Sequence, residues 1–143
     1  AVLCDNHIME VIQPGQHGST YGGNPFAASI AKKSLEIIVE ERLPENANKL
    51  GKIFRHNINQ YIKTSKIVKL VRGKGLLNAI VINDSPESKT AWNICLKLRD
   101  NGLLAKPTRG NVIRFAPPLV MTENQLLDCI RIIISTIKEF EPK

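Results

Sequence analysis

Apolar residues recur every three or four positions in four long stretches of this chain, and shorter β-rich runs lie between them. From Pro25, the residues Ala27, Ala28, Ala31, Leu35, Ile38 and Val39 keep helical spacing through about Glu41. A second helix begins near Pro44, a residue suited to a first turn, and carries the stripe Leu50, Ile53, Phe54, Ile58, Tyr61 and Ile62. Strand-forming sequence follows, from Ile67 to Arg72 and from Leu76 to Ile82, around a Gly73-Lys74-Gly75 turn. Asn83-Asp84-Ser85-Pro86 breaks the chain. The third helix spans about Ser88 to Asn101, with Ala91, Trp92, Cys95, Leu96 and Leu98 apolar and Gly102 placed to end it. Leu103 to Pro107 and Val112 to Ala116 read as short strands around Arg109-Gly110-Asn111, and Pro117-Pro118 stops the second. Thr122 with Gln125 three residues on is a capping box. It opens a last helix whose face is Leu126, Leu127, Ile130, Ile133, Ile134 and Ile137. Before all of these, Ala1 to Cys4 reads as a strand end and Asp5 to Val11 as a short helical turn. The order predicts an α+β layer, helices packed on a small sheet.

Totals narrow the classes. With 143 residues, 43% hydrophobic and 23% charged, the chain suits a soluble globular protein with a real core. No apolar run approaches the roughly 20 residues of a membrane helix. Ala1-Val2-Leu3-Cys4 lacks the basic and apolar regions of a signal peptide and looks like a strand cut in mid-protein. Cys4, Cys95 and Cys129 are odd in number and far apart. His7, His17 and His56 have no metal-ligand spacing, so neither a disulfide framework nor a metal site is expected. Cys95 and Cys129 fall on apolar helix faces as buried thiols, which fits a reducing compartment, the cytoplasm first. The net charge of +7 comes from dispersed lysines and arginines without interleaved aromatics. Solvated helix faces account for it better than an RNA-binding motif does.

Two features carry chemistry. Pro14 to Pro25 places Gly15, Gly18, Gly22 and Gly23 around Ser19-Thr20, immediately ahead of an N-cap, Asn24, and a first-turn proline. Hydroxyls and loop N–H groups at such a place suit a phosphate, and a plain glycine-rich connector fits equally well. It is neither a Walker loop nor a Gly-x-Gly-x-x-Gly fingerprint. Arg114, in the last strand, reads by itself as a surface ion-pair residue. Composition alone would also suit a non-catalytic module binding an anionic ligand or nucleic acid.

Three stretches, in order, resemble the ω-aminotransferase branch of the pyridoxal-phosphate enzymes. Gly15-Gln16-His17-Gly18-Ser19-Thr20-Tyr21-Gly22-Gly23-Asn24-Pro25 looks like the loop following that branch's cofactor lysine. Arg72-Gly73-Lys74-Gly75-Leu76-Leu77-Asn78-Ala79 is similar to its ornithine-acting members. So is Arg99 to Thr108, together with Ile113-Arg114-Phe115-Ala116-Pro117-Pro118-Leu119. Gln16, where an acid is common, and Phe26, where smaller aliphatics are usual, depart from the pattern without touching the expected contacts.

The resemblance implies an α/β enzyme of which this chain is the C-terminal third. Residues 1–34 would end the large cofactor domain and residues 35–143 would form the small domain. The Schiff-base lysine would lie upstream of Ala1, so no catalytic residue is expected in this segment, which should be inactive alone. Ser19 and Thr20 match the hydroxyl pair that contacts the phosphate of pyridoxal 5′-phosphate in the neighbouring subunit of a homodimer. Arg114 matches the arginine that holds a substrate carboxylate. The implied reaction moves the δ-amino group of ornithine to a 2-oxo acid such as 2-oxoglutarate, giving glutamate 5-semialdehyde. Sibling enzymes acting on acetylornithine or 4-aminobutyrate are the close alternative. No nucleic acid or membrane partner is implied. The compartment would be the cytoplasm, or the mitochondrial matrix, since the N-terminus that would carry a targeting signal is absent.

Overall fold

The computed structural model describes residues 2–142, and the chain divides into two compact units, Ala1–Glu41 and Arg42–Lys143. In the first, α1 (Asn6–Met9) is a single turn, and α2 (Pro25–Glu40) is the helix its spacing predicts. Asn24 caps α2, its Oδ1 accepting from the N–H groups of Phe26 at 3.0 Å and Ala27 at 3.2 Å. Pro25 stands in the first turn, where no N–H is missed. The expected strand at the start is not formed. Val2 to Asp5 is irregular and exposed, with no strand among the described residues pairing its backbone, and Ala1 lies outside the described residues.

The second unit runs α3 (Leu43–Ile62), β1 (Val68–Lys74), β2 (Leu77–Ile82), α4 (Thr90–Asp100), β3 (Lys106–Thr108), β4 (Val112–Phe115) and α5 (Glu123–Lys138). Its four strands form an antiparallel sheet in the order β1-β2-β4-β3. Alternation sorts each strand into two faces. Val68, Ile80, Ile82, Ile113 and Phe115 turn inward and meet Leu50, Phe54 and Ile58 of α3, Ile94 and Leu98 of α4, and Ile130, Ile133 and Ile137 of α5. Phe54 and Phe115 touch with ring centroids 5.7 Å apart. This is the predicted layer of helices on a small sheet.

Several local expectations shift. The first hairpin turns at Gly75-Leu76, and Gly73 and Lys74 belong to β1 opposite Asn78 and Leu77. Trp92 is 53% exposed and Ile94 takes its place in the core, because a four-residue-wide stripe on α4 reaches Ala91, Ile94, Cys95 and Leu98. Leu127 is exposed, while Thr136 is fully buried and satisfied by Asn101 Nδ2 at 2.8 Å. The helix stops hold. Thr122 and Gln125 form the capping box. Gly102 follows α4 with its N–H on Arg99 O at 2.9 Å, and Leu103 N–H reaches back to Leu98 O at 2.8 Å.

Close packing of α3 on the first hairpin depends on Gly51. A Cβ there would run into the carbonyl oxygen of Gly75. Beside it, Arg55 donates through Nη1 to Gly75 O at 3.1 Å and to Asn78 Oδ1 at 2.7 Å. Asn78 returns a bond from Nδ2 to the same carbonyl at 3.1 Å, so this buried amide is satisfied.

Candidate functional site

The glycine-rich loop of the first unit is held by its own side chains. Ser19 Oγ accepts the N–H of Gly22 at 3.0 Å, and Asn24 N–H bonds to Tyr21 O at 3.2 Å. Gly22 eases this close approach, since a Cβ there would sit 3.1 Å from Ser19 Cβ and 3.3 Å from Ser19 Oγ and would press that side chain aside. Accepting from Gly22 leaves the Ser19 hydroxyl proton free to be donated outward. Thr20 is exposed, and its hydroxyl makes no hydrogen bond among the described residues. Two neighbouring hydroxyl donors on a turn fixed ahead of a capped helix fit a dianionic phosphate. The donor set therefore suits the phosphate of pyridoxal 5′-phosphate.

Arg114 sits in the other unit, on β4. Its neighbours Ile113 and Phe115 point into the core, so the alternation places Arg114 on the opposite, exposed face of the sheet. No helix of the unit covers that face, where Leu70 and Leu77 remain exposed and Ala79 and Val81 half-buried. Among the described residues no carboxylate pairs with Arg114. A planar guanidinium left in this state offers two parallel donors to a ligand carboxylate.

Register brings Arg114 company that sequence reading missed. Lys106 of β3 is its direct partner on one side, Ala79 of β2 on the other, and Arg72 of β1 lies beyond Ala79. The three cations thus lie in one row across the sheet. Their alternation is visible in the sequence, but the β1-β2-β4-β3 order that aligns them is not. Lys74 and Lys106 are exposed, as expected of lysines without a buried reactive role.

The core side of the sheet offers different chemistry. A cavity of about 330 Å³ is lined by Phe54, Leu76, Phe115, Met121, Cys129 and Ile133. Burial pushes the Cys95 thiol up to about 11 and raises that of Cys129, which makes both poor nucleophiles. Cys4 is exposed, and no cluster of metal-ligating side chains exists among the described residues. No helix among them is long and apolar enough to cross a membrane.

Known proteins are similar to this chain in sequence and in fold. An ornithine aminotransferase of Rattus norvegicus, named as mitochondrial, is 54% identical over 140 residues, covering 98% of this chain and 31% of its own length. The solved acetylornithine aminotransferase of Elizabethkingia anophelis is 60% identical, with a TM-score of 0.86 over 96% of this chain and 34% of that one. A solved ornithine δ-aminotransferase of Plasmodium falciparum is 45% identical, with a TM-score of 0.86 over 97% of this chain and 36% of that one. The chain thus spans about a third of the length of these relatives. Residues 1–137 match the family described as Aminotransferase class-III, and the chain belongs to that family.

Proposed function

We propose that this chain is the C-terminal part of a pyridoxal-phosphate-dependent ornithine aminotransferase, which passes the δ-amino group of ornithine to a 2-oxo acid such as 2-oxoglutarate. The observation that carries the reading is Arg114, an exposed guanidinium without an acid partner among the described residues. It lies in a chain about half identical to proteins named for ornithine. Pyridoxal 5′-phosphate, when bound, supplies the electron sink for amino transfer. The chain's own residues bind and orient. Ser19 and Thr20 donate hydrogen bonds to the cofactor phosphate held by the neighbouring subunit of a homodimer. Arg114 grips the carboxylate of the 2-oxo acid in a two-donor fork. The passage from large to small domain lies within α2, at residues 34–35. Three free cysteines support a reducing compartment, the cytoplasm or the mitochondrial matrix, and the rat relative is named as mitochondrial.

A second reading, an acetylornithine aminotransferase, is favoured by the 60% identity to the Elizabethkingia anophelis structure. The two differ in whether the α-amino group of the donor is free or acylated, so donor preference separates them. The complete enzyme should convert ornithine to glutamate 5-semialdehyde with kcat/KM at least ~10-fold above that for N-acetylornithine or 4-aminobutyrate. Preference for N-acetylornithine would establish the second reading. No turnover of any of the three would remove both.

A further inference from the structure

Between the start of α4 and the turn joining β3 to β4 runs a groove of about 450 Å³, lined by Ser88, Lys89, Trp92, Pro107, Arg109 and Gly110. Trp92, in one wall, is 53% exposed, which leaves indole surface open to a ligand. Each wall also carries a cation. Lys89 stands on the α4 side and Arg109 in the facing turn, both exposed. Neither has a carboxylate partner among the described residues. The acids nearest in sequence are engaged elsewhere: Asp84 accepts from the Ser88 and Thr90 hydroxyls, both at 2.5 Å, and Glu87 from the Ser85 hydroxyl. Lys89 gives α4 no side-chain cap, so the positive end of that helix adds to the two cations.

Both walls are fixed. Asn111 Nδ2 donates to Ile82 O at 3.2 Å and to Asp84 O at 3.1 Å, tying the turn to the segment ahead of α4. Gly110 lies so close to that segment that a Cβ would run into the carbonyl oxygen of Pro86. Arg109 takes a left-handed φ of 49°, a conformation that non-glycine residues seldom adopt. The backbone that carries the indole and the two cations is therefore set before any ligand arrives.

Size and chemistry narrow the occupant. Six lining residues fall well short of the roughly 20 that a stable protein interface uses on each side, so a small molecule fits better than a protein. An indole stacks on a planar ring, and two cations beside a helix start match a phosphate dianion. We propose that this groove binds a small ligand in which a planar ring is joined to a phosphate, the ring on Trp92 and the phosphate between Lys89 and Arg109. Nucleoside monophosphates and pyridine phosphates share that chemistry. The groove opens on the helix side of the sheet, since Pro107 pairs with Ile113 of the core, whereas Arg114 faces the other side. Ligand capture here does not depend on the carboxylate role given to Arg114.

Calorimetry on the complete enzyme, loaded with its cofactor, tests the site. AMP should bind more tightly than adenosine or ribose 5-phosphate, each of which supplies half of the match. Pyridoxine 5′-phosphate, which forms no Schiff base, is the second full probe, and the tighter of the two identifies the source of the ring. Trp92→Ala should weaken the full probes about fivefold or more and leave ribose 5-phosphate unchanged. Arg109→Gln and Lys89→Gln should each weaken AMP and ribose 5-phosphate about two- to fivefold and spare adenosine. Trp92→Phe should keep most of the AMP affinity at an unchanged thermal midpoint. The proposal is overturned if neither full probe binds more tightly than adenosine and ribose 5-phosphate, or if Trp92→Ala and Arg109→Gln leave the full probes unaffected. Equal losses for AMP, adenosine and ribose 5-phosphate in Trp92→Ala, with a lowered midpoint, would also overturn it and make Trp92 structural.

Discussion

The two units solve opposite problems. In residues 2–41 no side chain is buried, and the order that exists comes from local hydrogen bonds, with Ser19 on Gly22 and Asn24 on the start of α2. Phe26, Ile30, Leu35 and Val39 are exposed apolar side chains on α2 that its own unit does not cover. Residues 42–142 instead close a core from three helices and a sheet, and no buried side-chain polar atom lacks a partner among the described residues. The first unit thus presents chemistry on a pre-shaped loop whose surroundings lie outside it. The second builds its own rigid floor and displays Arg114 on the far side of that floor. A fixed β-strand is the better platform where a planar fork must meet a carboxylate at one angle.

The comparison breaks most decisively in stability. Ile58 is fully buried among α3, the sheet and α5, so Ile58→Ala should cost about 2–5 kcal/mol, read from denaturant unfolding of this chain. Leu35 is 64% exposed on α2, and Leu35→Ala should change the same transition by less than about 0.5 kcal/mol. Comparable losses at the two positions would mean that Leu35 is covered after all and that the contrast is false.

That contrast was only half legible in the sequence. Helical spacing located α2, α3, α4 and α5, and the caps at Asn24, Gly102 and Thr122 were readable because each is a local bond between residues at most five apart. Trp92 and Leu127 were misplaced because periodicity gives a face but not its width, and the neighbouring element decides which edge is covered. Thr136 is buried for a partner, Asn101, that lies 35 residues away in the chain and carries no sequence signal. The same limit hid the row of Arg72, Lys106 and Arg114, whose alignment exists only through the strand order. The loop holding Ser19 and Thr20 stands out by its local chemistry and Arg114 only by resemblance, and the structure supplies their exposure and free donors.

A smaller effect probes the loop of the first unit. On the role proposed for it, Thr20→Ala in the complete enzyme would remove one charge-assisted hydrogen bond to the cofactor phosphate, worth about 1.5–3 kcal/mol or about tenfold or more in cofactor affinity. The cofactor dissociation constant, followed by absorbance, should rise while Gly22 and Ser19 keep the turn. Gly22→Ala should give the same phenotype by a different route, because the new Cβ presses on Ser19. If Gly22→Ala weakens cofactor binding and Thr20→Ala does not, the loop works through its shape and Ser19 alone.

The smallest expected effect sharpens the picture of the second unit, whose end is tied down by a carboxylate. Glu141 accepts from Tyr61 Oη at 2.9 Å, from the N–H of Lys66 at 2.9 Å, and from the Ser65 hydroxyl. Partial burial pushes its carboxyl up, but the bonds from Ser65, Lys66, Tyr61 and Ile67 outweigh this and hold it below the usual 4.5. A carboxyl whose folded value is depressed stabilises the fold above its unfolded value, and that stability is lost as pH falls through the folded one. Tyr61 behaves in the opposite sense. Burial, then the bond to Glu141, pushes its phenol up from 10.0 to about 12, so its share is full below pH 10 and lost as pH rises toward 12. Glu141→Gln should therefore flatten the loss of stability on the acid side, as pH falls below 4.5. It should flatten the alkaline side less, because burial of Tyr61 remains. Asp84, held low by Ser88, Thr90 and the Ser85 N–H, sets an acid slope common to both proteins, which the comparison subtracts. Parallel stability curves for the two proteins from pH 3 to pH 7 would show that the Glu141 tie forms no part of the folded state in solution.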